Sequence, residues 1–224
     1  MLQMIFEAAA NSGLSQNAMD TFIVDNCKSM YLAGYDTTAS STMWTLMLLA
    51  INPQWQAKSR AEVLEICGGQ MPEVNMLRNF KIIYTDVSII SIGCAEVGWP
   101  GGQQATTCAR GARVRGTMGG GGGHRAVALH YDEEIWGSDA NIFNPERFAN
   151  GVNGSCKSPH VYVPFGSGFR ICLGQHFSMM ELKILLALML SNFSFSLSPK
   201  YNHSPRLKVV MEPKDGVNLI ISKL

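Results

Sequence analysis

Residues 165–174 read Phe165-Gly166-Ser167-Gly168-Phe169-Arg170-Ile171-Cys172-Leu173-Gly174, and the rest of the chain is best read outward from them. Five spaced positions, Phe165, Gly168, Arg170, Cys172 and Gly174, fill the pattern F-x-x-G-x-R-x-C-x-G. From average residue frequencies, the chance of such a coincidence in one chain is on the order of 10⁻⁴ or less. Gly166 and Gly168 permit a tight turn, and glycine-rich turns point backbone N–H groups inward, where they favour an anion. Cys172 stands just before a strongly apolar stretch of helical length, and the positive N-terminal end of a helix favours a thiolate. A lone cysteine is more often a small buried hydrophobe.

Downstream, the apolar run predicts a helix from about Leu173 to Ser191. The alternation Phe193-Ser194-Phe195-Ser196-Leu197 and the segment Val217 to Ile221 predict short strands. Upstream, Trp136, Phe143 and Phe148 lie in a loop-like region around Asn144-Pro145-Glu146-Arg147-Phe148, which by itself reads as a surface turn followed by an ion pair. At the front, residues 1–10 read as a helix ended by Asn11-Ser12-Gly13. A long helix is predicted from about Asp20 to Ile51. Phe22, Ile23, Tyr31, Leu32, Trp44, Leu46, Met47 and Leu49 make it apolar around much of its circumference, which predicts a central, buried position. Pro53 suits the first turn of the next helix, Pro53 to Cys67. Lys58, Arg60, Glu62 and Glu65 give that helix a wet face, and Gly68-Gly69 caps it.

Composition narrows the class. Of 224 residues, 46% are hydrophobic and 16% charged, an ordinary globular balance. A net charge of +1 gives no reason to expect nucleic acid or an anionic membrane surface as the main partner. The six cysteines (27, 67, 94, 108, 156 and 172) include no C-x-x-C pair and match no zinc spacing. The longest apolar runs, Leu46 to Ile51 and Ile184 to Leu190, fall short of the roughly 18 residues of a membrane span, so no anchor is expected in the chain as written.

The middle differs from both ends. Residues 93–123 carry eleven of the 22 glycines, with five in succession at 119–123 and Arg110, Arg113 and Arg115 among them. No helical or strand period survives, and such a stretch buries too little apolar area to offset its ordering entropy. It is expected to be disordered. Three segments follow: residues 1–80 with the long helix and its successor, an aberrant Gly/Arg-rich segment at 81–128, and residues 129–224 with the loop, the second apolar helix and the strands.

The 165–174 pattern, taken with two other segments, resembles the cytochrome P450 family. Ala33-Gly34-Tyr35-Asp36-Thr37-Thr38, on the long helix and about 135 residues before Cys172, is similar to the family's oxygen-activation segment. Asn144-Pro145-Glu146-Arg147-Phe148 is similar to its PERF segment. The resemblance covers about residues 1–80 and 129–224. It implies a mainly α fold with small β segments, here the C-terminal half and incomplete. It also implies heme b (iron protoporphyrin IX) with Cys172 as the iron ligand, a thiolate supplying the electron density that O–O cleavage requires. By the same resemblance Phe165 shields the sulfur, Arg170 holds a haem propionate, and Gly168 and Gly174 shape the loop and let the porphyrin approach. Gly34 makes room above the iron, Thr37 orients O2 and water, and Asp36 lies in the proton path. On a bare helix, Thr37 would simply bond the carbonyl four residues back.

The implied activity is haem-thiolate monooxygenation of a small hydrophobic substrate, with electrons from NADPH through NADPH–cytochrome P450 reductase. The implied place is the cytosolic face of the endoplasmic reticulum membrane. Asn26-Cys27-Lys28-Ser29, Ala33-Gly34-Tyr35 and Trp55-Gln56-Ala57 resemble plant microsomal members that oxidise gibberellin-type diterpenoids.

One family element is missing. No glutamate in the sequence has an arginine three positions later, so the E-x-x-R motif expected soon after Phe80 is absent and the Gly/Arg-rich text stands in its place. A frameshift or a retained intron between about Lys81 and Ala128 is the expected cause. Arg147, which by resemblance closes a salt-bridge triad with E-x-x-R, is then expected to be a buried charge without a partner, and the chain is expected to show little or no turnover. Two other readings stay open: an inactive or haem-binding-only fragment, and an Arg/Gly-rich interaction module.

Overall fold

The computed structural model describes residues 2–83, 132–140, 142–158, 160, 162–166, 168–207 and 210–224. Most of the Gly/Arg-rich segment, from residue 84 to its end at 128, lies outside the described residues, as does the expectation that it is disordered. The described chain is mainly helical with small β segments. It falls into two units, Met1–Ala39 and Ser40–Leu224.

The first unit holds α1 (Leu2–Ala10) and the front of α2 (Gln16–Ile51). α1 stops where the sequence places the break: the Ser12 hydroxyl and backbone N–H both turn back to Ala9 O, and Gly13 takes a φ of 67°. α2 begins four residues before the predicted Asp20. Tyr31, Leu32 and Tyr35 on it are exposed, so the buried position expected of this helix is not seen at these residues. An apolar circumference shows what burial a helix is suited to. Whether neighbours cover it depends on chain elsewhere, and the burial seen here is concentrated from Trp44 to Ala50.

The second unit is built on α3 (Pro53–Cys67) and α6 (Gln175–Asn192), which pack against each other; the short helices α4 (Glu133–Trp136) and α5 (Val152–Ser155) lie between them in sequence. Trp55, Ser59, Val63 and Cys67 recur at helical spacing on the inner face of α3, and Leu182, Leu186 and Leu190 do so on α6. Phe80, Ile83, Leu77 and Phe195 complete this core. A second cluster joins Trp44, Met47 and Leu48 to Tyr201 and Met211. Gly68 ends α3 in the left-handed region with its N–H on Leu64 O, as its sequence predicts. The strands are β1 (Phe193–Leu197), β2 (Pro205–Leu207), β3 (Met211–Pro213) and β4 (Leu219–Lys223). β1 pairs antiparallel with β4, from Phe193↔Lys223 to Leu197↔Leu219, and β2 pairs with β3. The pairing sets β4 two residues beyond the predicted 217–221.

The wet face expected on α3 is only partly wet. Arg60 donates to Leu190 O (3.0 Å) and Phe193 O (2.8 Å), satisfying carbonyls at the C-terminal end of α6. Glu62 accepts the backbone N–H groups of Lys81, Ile82 and Ile83 at 2.7–3.1 Å. Charge marks a side chain as needing polar partners, and here backbone groups supply them in place of water.

Candidate functional site

The loop that carries Cys172 is held from both ends. On the upstream side, Tyr162 packs into an aromatic cluster with Trp136 and Phe148, at ring separations of 5.7 and 5.3 Å. Trp136 ends the short helix α4 (Glu133–Trp136), and Phe148 ends a single 3-10 turn, Pro145–Phe148. The predicted loop-like region thus contains two short helical pieces. Past Tyr162 the chain reverses: Gly166 N–H bonds Val163 O at 3.0 Å, and Cys172 N–H returns to Phe165 O at 2.8 Å. Gly166 and Gly168 both sit at φ 70°, a conformation that disfavours any residue with a Cβ. Gly168–Arg170 forms one 3-10 turn, closed by Ile171 N–H on Gly168 O. On the downstream side, Gly174 occupies the N-cap position of α6, two residues after Cys172.

This geometry bears on the choice between a structural and a ligand cysteine. Among the described cysteines Cys67 is the buried one, and burial pushes its pKa up. Cys172 is exposed. A Cβ built on Gly174 would lie 3.9 Å from Cys172 Sγ, so a larger side chain there would fill the space beside the sulfur. Phe169, Ile171, Leu173 and Phe177, its near neighbours in sequence, are large, apolar and exposed. A cavity of about 250 Å³ opens behind the loop, lined by Tyr162, Phe165, Gln175, His176 and Met179 among others. An accessible sulfur, exposed apolar residues on either side of it in sequence and a glycine beside it fit a haem ligated by thiolate. The Arg170 side chain lies outside the described atoms, so its expected propionate contact has no geometry here.

Asp36 and Thr37 lie on α2. Thr37 Oγ1 donates to Ala33 O at 2.6 Å, the back-bond expected of a helical threonine. A Cβ on Gly34 would meet nothing within 4 Å.

Arg147 differs from expectation. Its side chain is 11% exposed, and it is not unpaired. Arg147 Nη2 lies 2.8 Å from Asp139 Oδ2 and 2.8 Å from Asp139 O, and Nη1 donates to Trp136 O. The Asn144 amide also donates to Asp139 Oδ2, at 3.2 Å. Burial alone would raise the Asp139 carboxyl, but the Asn144 amide and the Arg147 guanidinium overcome this and hold it below its ordinary pKa. The neighbouring Glu146 turns to Lys58 on α3 instead, at 3.1 Å. Asp139 was not legible as a partner in the sequence, because the resemblance assigns Arg147 to E-x-x-R and the pairing forms only when the turn from Trp136 to Phe148 folds. The signal was an acid eight residues before Arg147, between Trp136 and Phe148.

The cytochrome P450 family model matches residues 1–89 and 125–219, the two ends that flank the glycine-rich text. Among curated proteins, Cytochrome P450 714A2 of Arabidopsis thaliana is 43% identical over 97% of this chain and 42% of its own length. Cytochrome P450 714C3 of Oryza sativa subsp. japonica is 41% identical over 96% of the chain and 42% of its own length. The 11-oxo-beta-amyrin 30-oxidase of Glycyrrhiza uralensis is 40% identical over 90% and 38%. The chain thus spans about two-fifths of the length of these relatives. A glycine-shaped loop presenting an accessible cysteine, a family match on either side of the anomalous middle and relatives at this identity lead to one assignment: the chain belongs to the cytochrome P450 family.

Proposed function

We propose that this chain supplies the haem-ligating half of a plant haem-thiolate monooxygenase, with Cys172 as the iron ligand. The observation that carries the reading is the exposed Cys172 beside Gly174, in a loop closed by its own N–H on Phe165 O. Haem bound there would supply O2 activation and insertion of one oxygen atom into the substrate. The chain's residues do the rest. With haem seated on the sulfur, Phe165 would shield it from water and Arg170 would pair with a propionate, while Gly168 and Gly174 keep the loop open to a flat ligand. Thr37 Oγ1 gives its hydrogen to Ala33 O, so its lone pairs remain to accept from water. Asp36 serves as the proton-relaying carboxylate.

For the intact protein we propose electrons from NADPH through a flavoprotein reductase, a small hydrophobic substrate and work at the endoplasmic reticulum membrane. Among the described residues no helix is long and apolar enough to cross a membrane. The local resemblance to gibberellin-oxidising members points to a diterpenoid, and one relative, by its name, oxidises 11-oxo-beta-amyrin.

The isolated chain is proposed to bind haem with little turnover, since its sequence holds no E-x-x-R and it spans two-fifths of its relatives' length. Residues 81–128 are proposed to be translated out of frame or from an intron, and E-x-x-R reappearing in another frame of the coding DNA would support this. Haemin titration followed by NADPH consumption with added reductase tests the main reading. Stoichiometric haem uptake with negligible consumption is expected. Rapid turnover would refute the claim about this chain, and no uptake would refute the site.

A further inference from the structure

We infer that Asp139 is the positioning residue for the Cys172 loop, acting through Arg147 and the aromatic cluster that holds the loop's upstream stem. Each link is a contact. The Asp139 carboxylate holds the Arg147 guanidinium at 2.8 Å, and Asn144 braces the same oxygen. Arg147 in turn bonds Trp136 O and Asp139 O, and lies 5.9 Å from the centre of the Trp136 ring. That fixes the turn from Trp136 to Phe148, and both rings pack on Tyr162. Three residues on, Phe165 O receives the Cys172 N–H. One carboxylate therefore sets the stem from which the cysteine is presented, with no residue of an E-x-x-R motif involved.

Arg147 carries five donors and a permanent charge at an 11% exposed side chain. Without Asp139 the charge would keep, among the described residues, only carbonyl dipoles, and the turn would reopen towards water to solvate it. That role bears on catalysis only if Cys172 is the haem ligand, whereas the order conferred on the loop is measurable in the chain alone.

The test is amide hydrogen exchange of the full chain, followed in segments covering residues 162–172, β1 and β4. In Asp139→Asn, exchange across 162–172 should rise about three- to tenfold, the scale of losing one half-screened, charge-assisted hydrogen bond, while β1 and β4 stay unchanged. Asp139→Glu, which keeps the charge, should restore most of the protection. Unchanged exchange at 162–172 would overturn the role. So would an equal rise across β1 and β4, or equal loss in both variants, since these would mean general destabilisation or a site indifferent to charge. Haem uptake, measured separately, reports on the Cys172 reading and not on this one.

Discussion

Replacing Gln56 with leucine should destabilise the second unit by about 3 kcal/mol, although the side chain is uncharged and far from the loop in sequence. Gln56 is 5% exposed on the inner face of α3. Its amide acts as an extra rung for β1: Nε2 donates to Phe195 O at 2.8 Å and Oε1 accepts Phe195 N–H at 3.1 Å. Nε2 also reaches Leu49 O, and Oε1 accepts from Arg60 at 2.9 Å. Leucine has a similar volume, so the cavity contribution is small. It leaves two buried backbone groups of Phe195 unpaired, at about 1–3 kcal/mol each, against about 1 kcal/mol gained from added apolar burial. Urea unfolding followed by far-ultraviolet circular dichroism measures the difference. Gln56→Glu is the sharper control, because a carboxylate can still accept from Phe195 N–H and Arg60 but must face Phe195 O without a proton. It should be at least as damaging. A loss under about 0.5 kcal/mol in Gln56→Leu would refute the reasoning, since surface substitutions do as little.

Gly168→Val should cost about 1–2 kcal/mol through its left-handed backbone and should loosen the loop, read as weaker haemin uptake; uptake equal to the parent's would contradict it. Gly174→Val should fill the space beside Cys172 Sγ and lower uptake with little change in stability. Burial lowers the pKa of His203, which lies 3.0 Å from the Tyr201 hydroxyl and against Trp44. The unfolded chain therefore binds the proton more readily, and stability should fall as pH drops below about 6.5 towards the depressed folded value. His203→Gln should lack that part of the acid sensitivity in pH-dependent unfolding. Asp139 gives the opposite kind of term. Its carboxyl is held low, so its stabilisation is present above the ordinary carboxylate pKa and is lost as pH falls below it. Asp139→Asn should flatten the unfolding profile there.

What the sequence made legible was local. The helix from Pro53 to Cys67, its glycine cap and the strand Phe193–Leu197 follow from spacing, proline and alternation, which act within a few residues. The loop around Cys172 was legible because φ 70° at Gly166 and Gly168 needs glycine. The long-range partners were not legible. Arg60 and Glu62 looked like a wet face because charge reads as solvation, yet they satisfy backbone groups at Leu190 and at Lys81 to Ile83. Arg147 looked unpaired because its expected partner is missing, and only the folded turn shows Asp139 returning to it. The exposure of Tyr31 and Leu32 was hidden for a related reason, because a periodic pattern carries no record of what covers it.

The carbon-monoxide difference spectrum of the reduced, haem-reconstituted chain, recorded beside Cys172→Ala, tests the central claim most directly. The account predicts a red-shifted Soret band of the thiolate type in the parent and its loss in the variant. A parent spectrum without that band, or a band that survives in Cys172→Ala, would contradict Cys172 as the iron ligand.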